Sequence, residues 1–190
     1  MILKLLIIIL SSYFIGCFCG AYYYGTIFKD KDIRNFGSGN LGALNSKRVL
    51  GNISFIIVLS IDFFKGFTTI IIGRGLGLTN TYVLIIMFAV IIGHIFPIQL
   101  KFKGGKGVAT FIGALTSYNY LFVLMIFLTF IPVYLITRKF TLSGLISIMF
   151  FSFLLFIING PSKHGENFSM MIIIFIIILK HSENIIYNMK

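Results

Sequence analysis

Charged residues are scarce in this chain of 190 residues. Only 11% of the residues are charged and just five are acidic, whereas 58% are hydrophobic. A soluble globular domain typically has about 25% charged residues, so the composition excludes such a domain and indicates an integral membrane protein. Membrane spans of about 20 residues would use nearly the whole length. We therefore expect a single membrane-embedded domain over residues 1–190, with its chemistry confined to loops and helix ends.

Cysteine is also scarce, and the two cysteines do not form a metal site. Cys17 and Cys19 lie in an apolar run, with no histidine or further cysteine nearby to complete a zinc set. We interpret both as small packing residues and expect neither a metal nor a cofactor. The net charge of +11 could suggest nucleic acid, but the basic residues are divided among short loops between apolar runs. No nucleic-acid partner is expected.

The apolar runs predict an all-α integral membrane protein, a polytopic bundle of about seven transmembrane helices. The run at residues 108–137 is too long for one span, and Ser117-Tyr-Asn-Tyr120 interrupts it, which predicts a short helix followed by a full one. The expected spans are residues 2–27, 53–72, 82–100, two within 108–137, 142–158 and 168–179. Hydropathy alone would also allow six spans.

The distribution of positive charge orients this bundle, because cytoplasmic loops carry an excess of lysine and arginine. With the loop at residues 28–51 in the cytoplasm, seven spans place most of the 16 basic residues on that side. These are Lys29, Lys31, Arg34, Lys47, Arg48, Lys101, Lys103, Lys106, Arg138, Lys139, Lys180 and Lys190. Six spans would turn Arg138 and Lys139 outward. We therefore expect seven spans, an outside N-terminus and a cytoplasmic C-terminus.

The first of three polar clusters on the predicted cytoplasmic face lies at residues 36–48. Glycines there permit close approach of the backbone to a ligand, while other side chains offer hydrogen bonds and a planar guanidinium that suits phosphate. The candidate binding residues are Ser38, Asn40, Asn45 and Arg48. The alternative is a Gly/Asn turn with a helix cap.

The second cluster, at residues 93–110, joins His94 to a lysine-rich and glycine-rich loop. Successive backbone N–H groups of Gly104, Gly105 and Gly107 could turn inward as a concave nest, and Lys106 would add a point charge suited to phosphate. It is not a nucleotide P-loop, because Gly107 stands where that motif requires Ser or Thr. The alternative is a basic loop that obeys the positive-inside rule, with His94 as a packing residue.

The third cluster is His181-Ser-Glu-Asn184, where the last span is expected to emerge. His181 and Asn184 are three residues apart and share one helical face, so both could reach one ligand. The alternative is an ordinary polar membrane exit. Separately, Asp62 and Lys65 lie three apart inside the second span. Unpaired charges there are costly, so we expect a mutual ion pair and favour a structural role over a catalytic one.

These clusters, in this order between apolar runs, resemble the three motifs of the bacterial acyl-phosphate:glycerol-3-phosphate acyltransferase family, the PlsY type. They read GSGNLGALNSKRVLG, GHIFPIQLKFKGGKGVAT and HSENI. The resemblance covers nearly the whole chain, including residues 31–34 and 62–66. Leu44 departs from the threonine that is common in the family. Residues 16–19 likewise depart from a common Gly-Ser-Ile-Pro.

The resemblance implies an enzyme that moves a fatty acyl group from acyl phosphate to the 1-hydroxyl of glycerol 3-phosphate. The products would be lysophosphatidic acid and phosphate, in the first step of phospholipid synthesis, with no covalent acyl-enzyme. The implied location is the bacterial cytoplasmic (inner) membrane, with the active site facing the cytoplasm. The implied partners are acyl phosphate, glycerol 3-phosphate, membrane lipids and the enzyme that supplies acyl phosphate.

A transporter or flippase for an anionic lipid precursor is the alternative from another class, since it would also need an anion loop and intramembrane charges. The lack of a visible internal repeat and the placement of all three clusters on one face weaken it.

Two phosphate-bearing substrates require two anion sites. We expect the acyl-phosphate head at the glycine nest with Ser38, and glycerol 3-phosphate at Arg48, Lys106, His181 and Asn184. The candidate catalytic residues are Ser38, His94, Lys106 and His181. The candidate substrate-binding residues are Asn40, Asn45, Arg48, Gly104, Gly105, Gly107, Glu183 and Asn184. The proton acceptor could be His94, His181 or a substrate phosphate oxygen, which the resemblance favours.

Overall fold

The structure is a computed structural model that describes residues 2–160 and 163–187, with side chains described at 2–158, 160 and 163–182. Within these residues the regular structure is entirely helical, which confirms the all-α class. The helices are α1 (Ile2–Cys17), α2 (Gly20–Phe28), α3 (Ala43–Leu50), α4 (Asn52–Gly75), α5 (Asn80–Ile95), α6 (Val108–Tyr118), α7 (Tyr120–Thr137), α8 (Phe140–Asn159) and α9 (His164–Tyr187). Short 3-10 turns occur at Ile33–Asn35 and Ile98–Leu100.

Five stretches of the described chain are helical, long and apolar enough to cross a membrane, and the bent pair α1 and α2 can count as a sixth. Helix α6 is apolar but has only 11 residues, which corresponds to about 16 Å at 1.5 Å per residue. Asn119 separates it from α7 and caps α7, because its side chain accepts a hydrogen bond from the Leu121 N–H at 3.0 Å. The predicted short helix followed by a full one is confirmed.

The first apolar run, expected to be continuous over residues 2–27, is broken between α1 and α2, which meet at a bend of 46°. A break inside a membrane leaves backbone carbonyls that must find donors within the protein. Lys65 Nζ donates to Gly16 O at 3.1 Å and to Phe18 O at 2.8 Å, and Gln99 Nε2 donates to Cys17 O at 2.6 Å. Donors far along the chain therefore stabilise the break.

The helices approach closely at glycines on their facing sides. An added Cβ at Gly93 on α5 would lie only 3.0 Å from both Cys17 N and Gly16 Cα on α1. In the same way, an added Cβ at Gly113 on α6 would lie 3.0 Å from Phe63 Cα on α4. Small residues at such crossings let the backbones pack tightly, which is the usual basis of helix association in membranes.

Helix α6 runs parallel to α4 and reaches the opposite end of the bundle. Beyond the close crossing near Gly113, the guanidinium of Arg74 at the end of α4 donates to Ser117 O at 3.0 Å and to Tyr118 O at 2.6 Å. Glu166 near the start of α9 accepts from Tyr118 at 3.0 Å and from Asn80 at 3.3 Å. These contacts hold the end of the bundle that lies away from the three polar clusters.

The loop predicted at residues 28–51 contains a helix, which agrees with the helix cap given as the alternative for the first polar cluster. Helix α3 begins after Gly42 and ends at Gly51, whose φ of +93° suits glycine at a helix C-terminus. Under this segment lies a small apolar cluster that is separate from the main core of the bundle and is formed by Cys19, Ala21, Ile33, Leu41, Val58 and Leu100. Both cysteines are buried and free, as expected of packing residues.

Candidate active site

Asn45 organises the first polar cluster from inside. Its side chain is 1% exposed, and all of its hydrogen bonds go to the local backbone. The Oδ1 atom accepts from the Ser38 N–H at 2.9 Å, while Nδ2 donates to Phe36 O at 3.1 Å and to Ile33 O at 3.3 Å. Asn45 therefore shapes the loop and offers no open group to a ligand, which corrects its prediction as a substrate-binding residue and agrees with the alternative of a Gly/Asn turn.

The other candidates of the first cluster are more accessible. Ser38 is exposed at the tip of the loop and Asn40 is half-buried. Arg48 is exposed on α3, the helix that begins directly after this loop. The loop also meets the second cluster, because an added Cβ at Gly105 would lie 2.8 Å from the carbonyl oxygen of Leu41. Two segments more than 50 residues apart in sequence thus form one surface.

The glycine turn differs from the predicted nest. The Gly104 N–H donates to Ile95 O at 3.1 Å and the Gly105 N–H donates to His94 O at 3.0 Å. Both groups therefore cap the C-terminal end of α5 and do not point into a concave anion site, because the carbonyls at a helix end need donors. The expected nest of three glycine amides is not formed in this structure.

What the turn supplies is a helix N-terminus. Gly107 has a φ of +86°, a conformation that suits glycine, and it stands directly before the first residue of α6. The first N–H groups of a helix have no acceptor within the helix and carry partial positive charge, so this position attracts anions. Lys106 precedes it by one residue. In the second cluster, Lys106 and the start of α6 are thus the groups suited to an anion.

Three cations from three different segments surround this position. The pKa of the half-buried Lys106 amine is lowered, first by its burial and then by the positive charges of Arg48 and Lys180. Arg48 and Lys180 are thus close enough to act on Lys106, and like charges placed near one another are relieved by an anion. Lys180 also lies over the ring of Phe96, with its Nζ atom 5.2 Å from the ring centroid.

Lys180 is a further candidate site residue, one that was not singled out from the sequence. It was counted there only as a charge for topology, although it stands directly before His181 near the predicted exit of the last span. The signal that could have found it is this position beside a motif residue. The structure adds what the sequence does not show, namely that α9 brings Lys180 near Lys106.

His181 joins this group on α9 with a defined tautomer. Its side chain is 7% exposed, and Nδ1 lies 2.8 Å from Ile177 O. A carbonyl oxygen can only accept, so Nδ1 carries the proton and Nε2 of a neutral ring is left as an acceptor. The charge of Lys106 acts on this imidazole. Glu183 and Asn184 lie in α9, but their side chains are outside the described residues.

His94 lies in a buried cluster below the turn. It is 2% exposed, with Nδ1 2.6 Å from Lys65 Nζ and 3.5 Å from Asp62 Oδ1. The ion pair between Lys65 and Asp62 measures 2.9 Å, which confirms the predicted pairing. Among the described residues no group of three or more His, Cys, Asp or Glu side chains could hold a metal ion.

The chain is thus a helical membrane protein with a cationic site where three polar segments meet at one end of the bundle. The model of the glycerol-3-phosphate acyltransferase family matches residues 6–190. The chain therefore belongs to the glycerol-3-phosphate acyltransferase family, and the resemblance seen in its sequence is confirmed. It is an enzyme, a membrane acyltransferase of phospholipid synthesis. This assignment excludes the alternative of a transporter or flippase.

Individual relatives agree with this assignment. The chain is 35% identical over 192 residues to glycerol-3-phosphate acyltransferase of Streptococcus thermophilus, covering 96% of this chain and 89% of the relative. It is 45% identical over 148 residues to glycerol-3-phosphate acyltransferase 2 of Lactobacillus acidophilus, covering 77% and 70%.

Two solved structures share its fold. The crystal structure of PlsY (YgiH), an integral membrane glycerol 3-phosphate acyltransferase, in its glycerol 3-phosphate form matches with a TM-score of 0.85 and 31% identity. The lysophosphatidic acid form of the same protein matches with a TM-score of 0.82 and 30% identity. Each comparison covers 96% of this chain and 90% of the solved one.

Proposed function

We propose that this glycerol-3-phosphate acyltransferase takes its acyl group from acyl phosphate and delivers it to the 1-hydroxyl of glycerol 3-phosphate. The observation that carries the proposal is the meeting of Arg48, Lys106 and Lys180 at the N-terminus of α6. Glycerol 3-phosphate is a phosphate monoester, and acyl phosphate is a mixed anhydride of phosphate. Each carries about two negative charges near neutrality. A site with several cations and a helix N-terminus suits two such anions.

The reaction needs positioning more than covalent chemistry. The 1-hydroxyl oxygen attacks the acyl carbonyl carbon, a new C–O ester bond forms, and the bond from that carbon to the phosphate oxygen breaks. Inorganic phosphate leaves with the bonding electrons, and the hydroxyl proton passes to a phosphate oxygen of the substrate. No acyl-enzyme is required, because phosphate is already a good leaving group. The protein holds both anions together and stabilises the developing charge.

Specific roles follow for the residues of the site. We assign glycerol 3-phosphate to Arg48, Lys106 and His181, with Asn184 as a further expected ligand. Nε2 of His181 is a hydrogen-bond acceptor and can orient the attacking hydroxyl. The acyl-phosphate head would contact Ser38 and the first N–H groups of α6, with Asn40 and Glu183 as additional candidates. Lys180 joins as a third cation.

The same end of the bundle is proposed to face the cytoplasm, in the bacterial inner membrane, with seven crossings. The parallel course of α4 and α6 supports this count, because a short α6 then runs from the site to the far end. The basic residues of the loops beside the site support the orientation. The enzyme that supplies acyl phosphate is a proposed partner on this face.

The test is acyl transfer to labelled glycerol 3-phosphate by the purified full-length protein in detergent, with palmitoyl phosphate or palmitoyl-CoA as donor. The proposal predicts lysophosphatidic acid from palmitoyl phosphate and none from palmitoyl-CoA. Arg48→Ala should abolish turnover, whereas Lys47→Ala, an exposed cation beside it on α3, should not. Transfer only from palmitoyl-CoA would overturn the assignment of the donor.

A further inference from the structure

A buried ionic cluster directly below the site has no part in the proposed chemistry. Asp62, Lys65 and His94 are 1%, 7% and 2% exposed, respectively, although a charge inside a membrane protein is costly. Lys65 Nζ lies 2.9 Å from Asp62 Oδ1 and 2.6 Å from His94 Nδ1. Replacing a buried ion pair by apolar residues is often neutral or stabilising. Stability alone is therefore a weak reason for this cluster.

On one side, the cluster stabilises the break in the first span. The ammonium group of Lys65 donates to the carbonyl oxygens of Gly16 and Phe18, at either side of the break. Because the ammonium group can only donate, His94 Nδ1 must accept from it, and the proton of a neutral His94 ring lies on Nε2. The tautomer of His94 and the direction of its ring are therefore set by Lys65.

On its other side, the cluster contacts the turn that precedes Lys106. An added Cβ at Gly105 would collide with Nε2 of His94, so the imidazole lies directly against the Gly105 backbone. The carbonyl oxygen of His94 also accepts the Gly105 N–H at 3.0 Å. Side chain and backbone of one residue thus contact the turn at the position immediately before Lys106.

We propose that Asp62, Lys65 and His94 act as one positioning unit. They fix the position of the turn at Gly105 and thereby place Lys106 and the start of α6 for phosphate binding. None of the three touches substrate. The inference rests on the proposed function and assigns to His94 a role different from that of a proton acceptor. The hydrogen bond from Lys65 fixes the direction of the imidazole, and the ring held in this way lies against the turn at Gly105.

The imidazole can be shortened without removing its contact to Lys65. In His94→Asn, the amide oxygen takes the place of Nδ1 as acceptor, while the part of the ring that lies against Gly105 is lost. Gly105→Ala does the opposite, because the added methyl pushes against an intact ring, and it also lies 2.8 Å from Leu41 O. In the double variant the methyl enters the space that the shortened side chain leaves, although the contact with Leu41 O remains.

The experiment measures kcat and KM for glycerol 3-phosphate, at saturating palmitoyl phosphate, for the wild type, both single variants and the double variant. Misplacing a substrate by about 1 Å through a change far from the reacting groups can cost about 100-fold in rate. Each single variant should therefore raise KM by about tenfold or more, with a smaller change in kcat. The double variant should raise KM by less than the two single effects combined, because the methyl no longer meets the ring and only its contact with Leu41 O remains. Thr69→Val, a buried substitution one turn beyond Lys65 on α4, is the matched control and should keep the wild-type KM.

Simple addition of the two single effects would overturn the inference, as would an unchanged KM in either variant. A loss of kcat of several orders of magnitude at unchanged KM in His94→Asn would make His94 a proton acceptor and also overturn it. Should His94→Asn not fold, as judged by its melting temperature, Gly105→Ala alone decides by its KM. If the wild type makes no lysophosphatidic acid, the proposed function fails instead. Binding of glycerol 3-phosphate by the same four proteins, measured by calorimetry, then tests the positioning unit.

Discussion

Removal of the Lys106 charge should lower kcat/KM by an amount that follows from the surroundings of this side chain. A cation about 4 Å from an anion gains about 4 kcal/mol at the effective dielectric constant of about 20 that applies near protein surfaces. Lys106 is only half-buried, so solvent screens part of this attraction. We expect a net loss of about 2–3 kcal/mol, which is about 30-fold to 150-fold in kcat/KM.

The assay is the initial rate of lysophosphatidic acid formation from palmitoyl phosphate, with glycerol 3-phosphate varied below and above KM. Lys101→Ala is the matched control, because this exposed lysine precedes the same turn but has no assigned role in the site. The control should retain the wild-type kcat/KM. Melting temperatures of both variants should equal that of the wild type, since Lys106 is only half-buried.

A kcat/KM for Lys106→Ala within about threefold of the wild type, in folded protein, would refute this reasoning, because threefold is only about 0.7 kcal/mol. It would mean that the phosphate group does not lie near Lys106. An equal loss in Lys101→Ala would refute it in another way. The charge of the whole face, and not that of one position, would then govern binding.

Three further outcomes follow from the same contacts. Because the pKa of Lys106 is lowered, its charge is lost as pH rises through a value below the usual range of lysine, so KM for glycerol 3-phosphate should rise at alkaline pH; Lys106→Arg, which stays protonated, should remove this rise in a pH series. Asp62→Asn leaves the buried charge of Lys65 without its partner and should cost about 3–5 kcal/mol, seen as a lower melting temperature in detergent. Gly113→Ala places a methyl group against the backbone of Phe63 and should cost about 1–3 kcal/mol in the same measurement; an unchanged melting temperature would contradict the close crossing of α4 and α6.

Much of the fold could be predicted because its signals are local. Hydrophobic runs long enough to span a membrane give the helices, and Asn119 gives the break between α6 and α7 because its side chain caps the following helix. The three polar clusters stand out for the same reason, since polar and glycine residues are rare between such runs. The ion pair of Asp62 and Lys65 follows from their spacing on one helix.

The contacts that escaped prediction join residues far apart in the chain. The apolar sequence from Gly16 to Cys19 gives no sign of a helix break, since the donors that permit it are Lys65 and Gln99. Gly104 and Gly105 look like a nest when taken alone, but their N–H groups cap α5. The distances between such partners depend on how the helices pack, and helix packing is not a local property.

By itself the sequence determined the solvent of this protein, its helices and the residue types of its site, because hydrophobicity, charge and helix-breaking residues act within a few turns of the chain. Only the tertiary structure decided which polar groups remain open to a ligand. In the folded protein the Asn45 side chain is buried, His94 lies between Lys65 and Gly105, and Lys180 lies near Lys106. A polar side chain serves a ligand or the fold according to which partner lies within hydrogen-bonding distance, and that is settled when the helices pack.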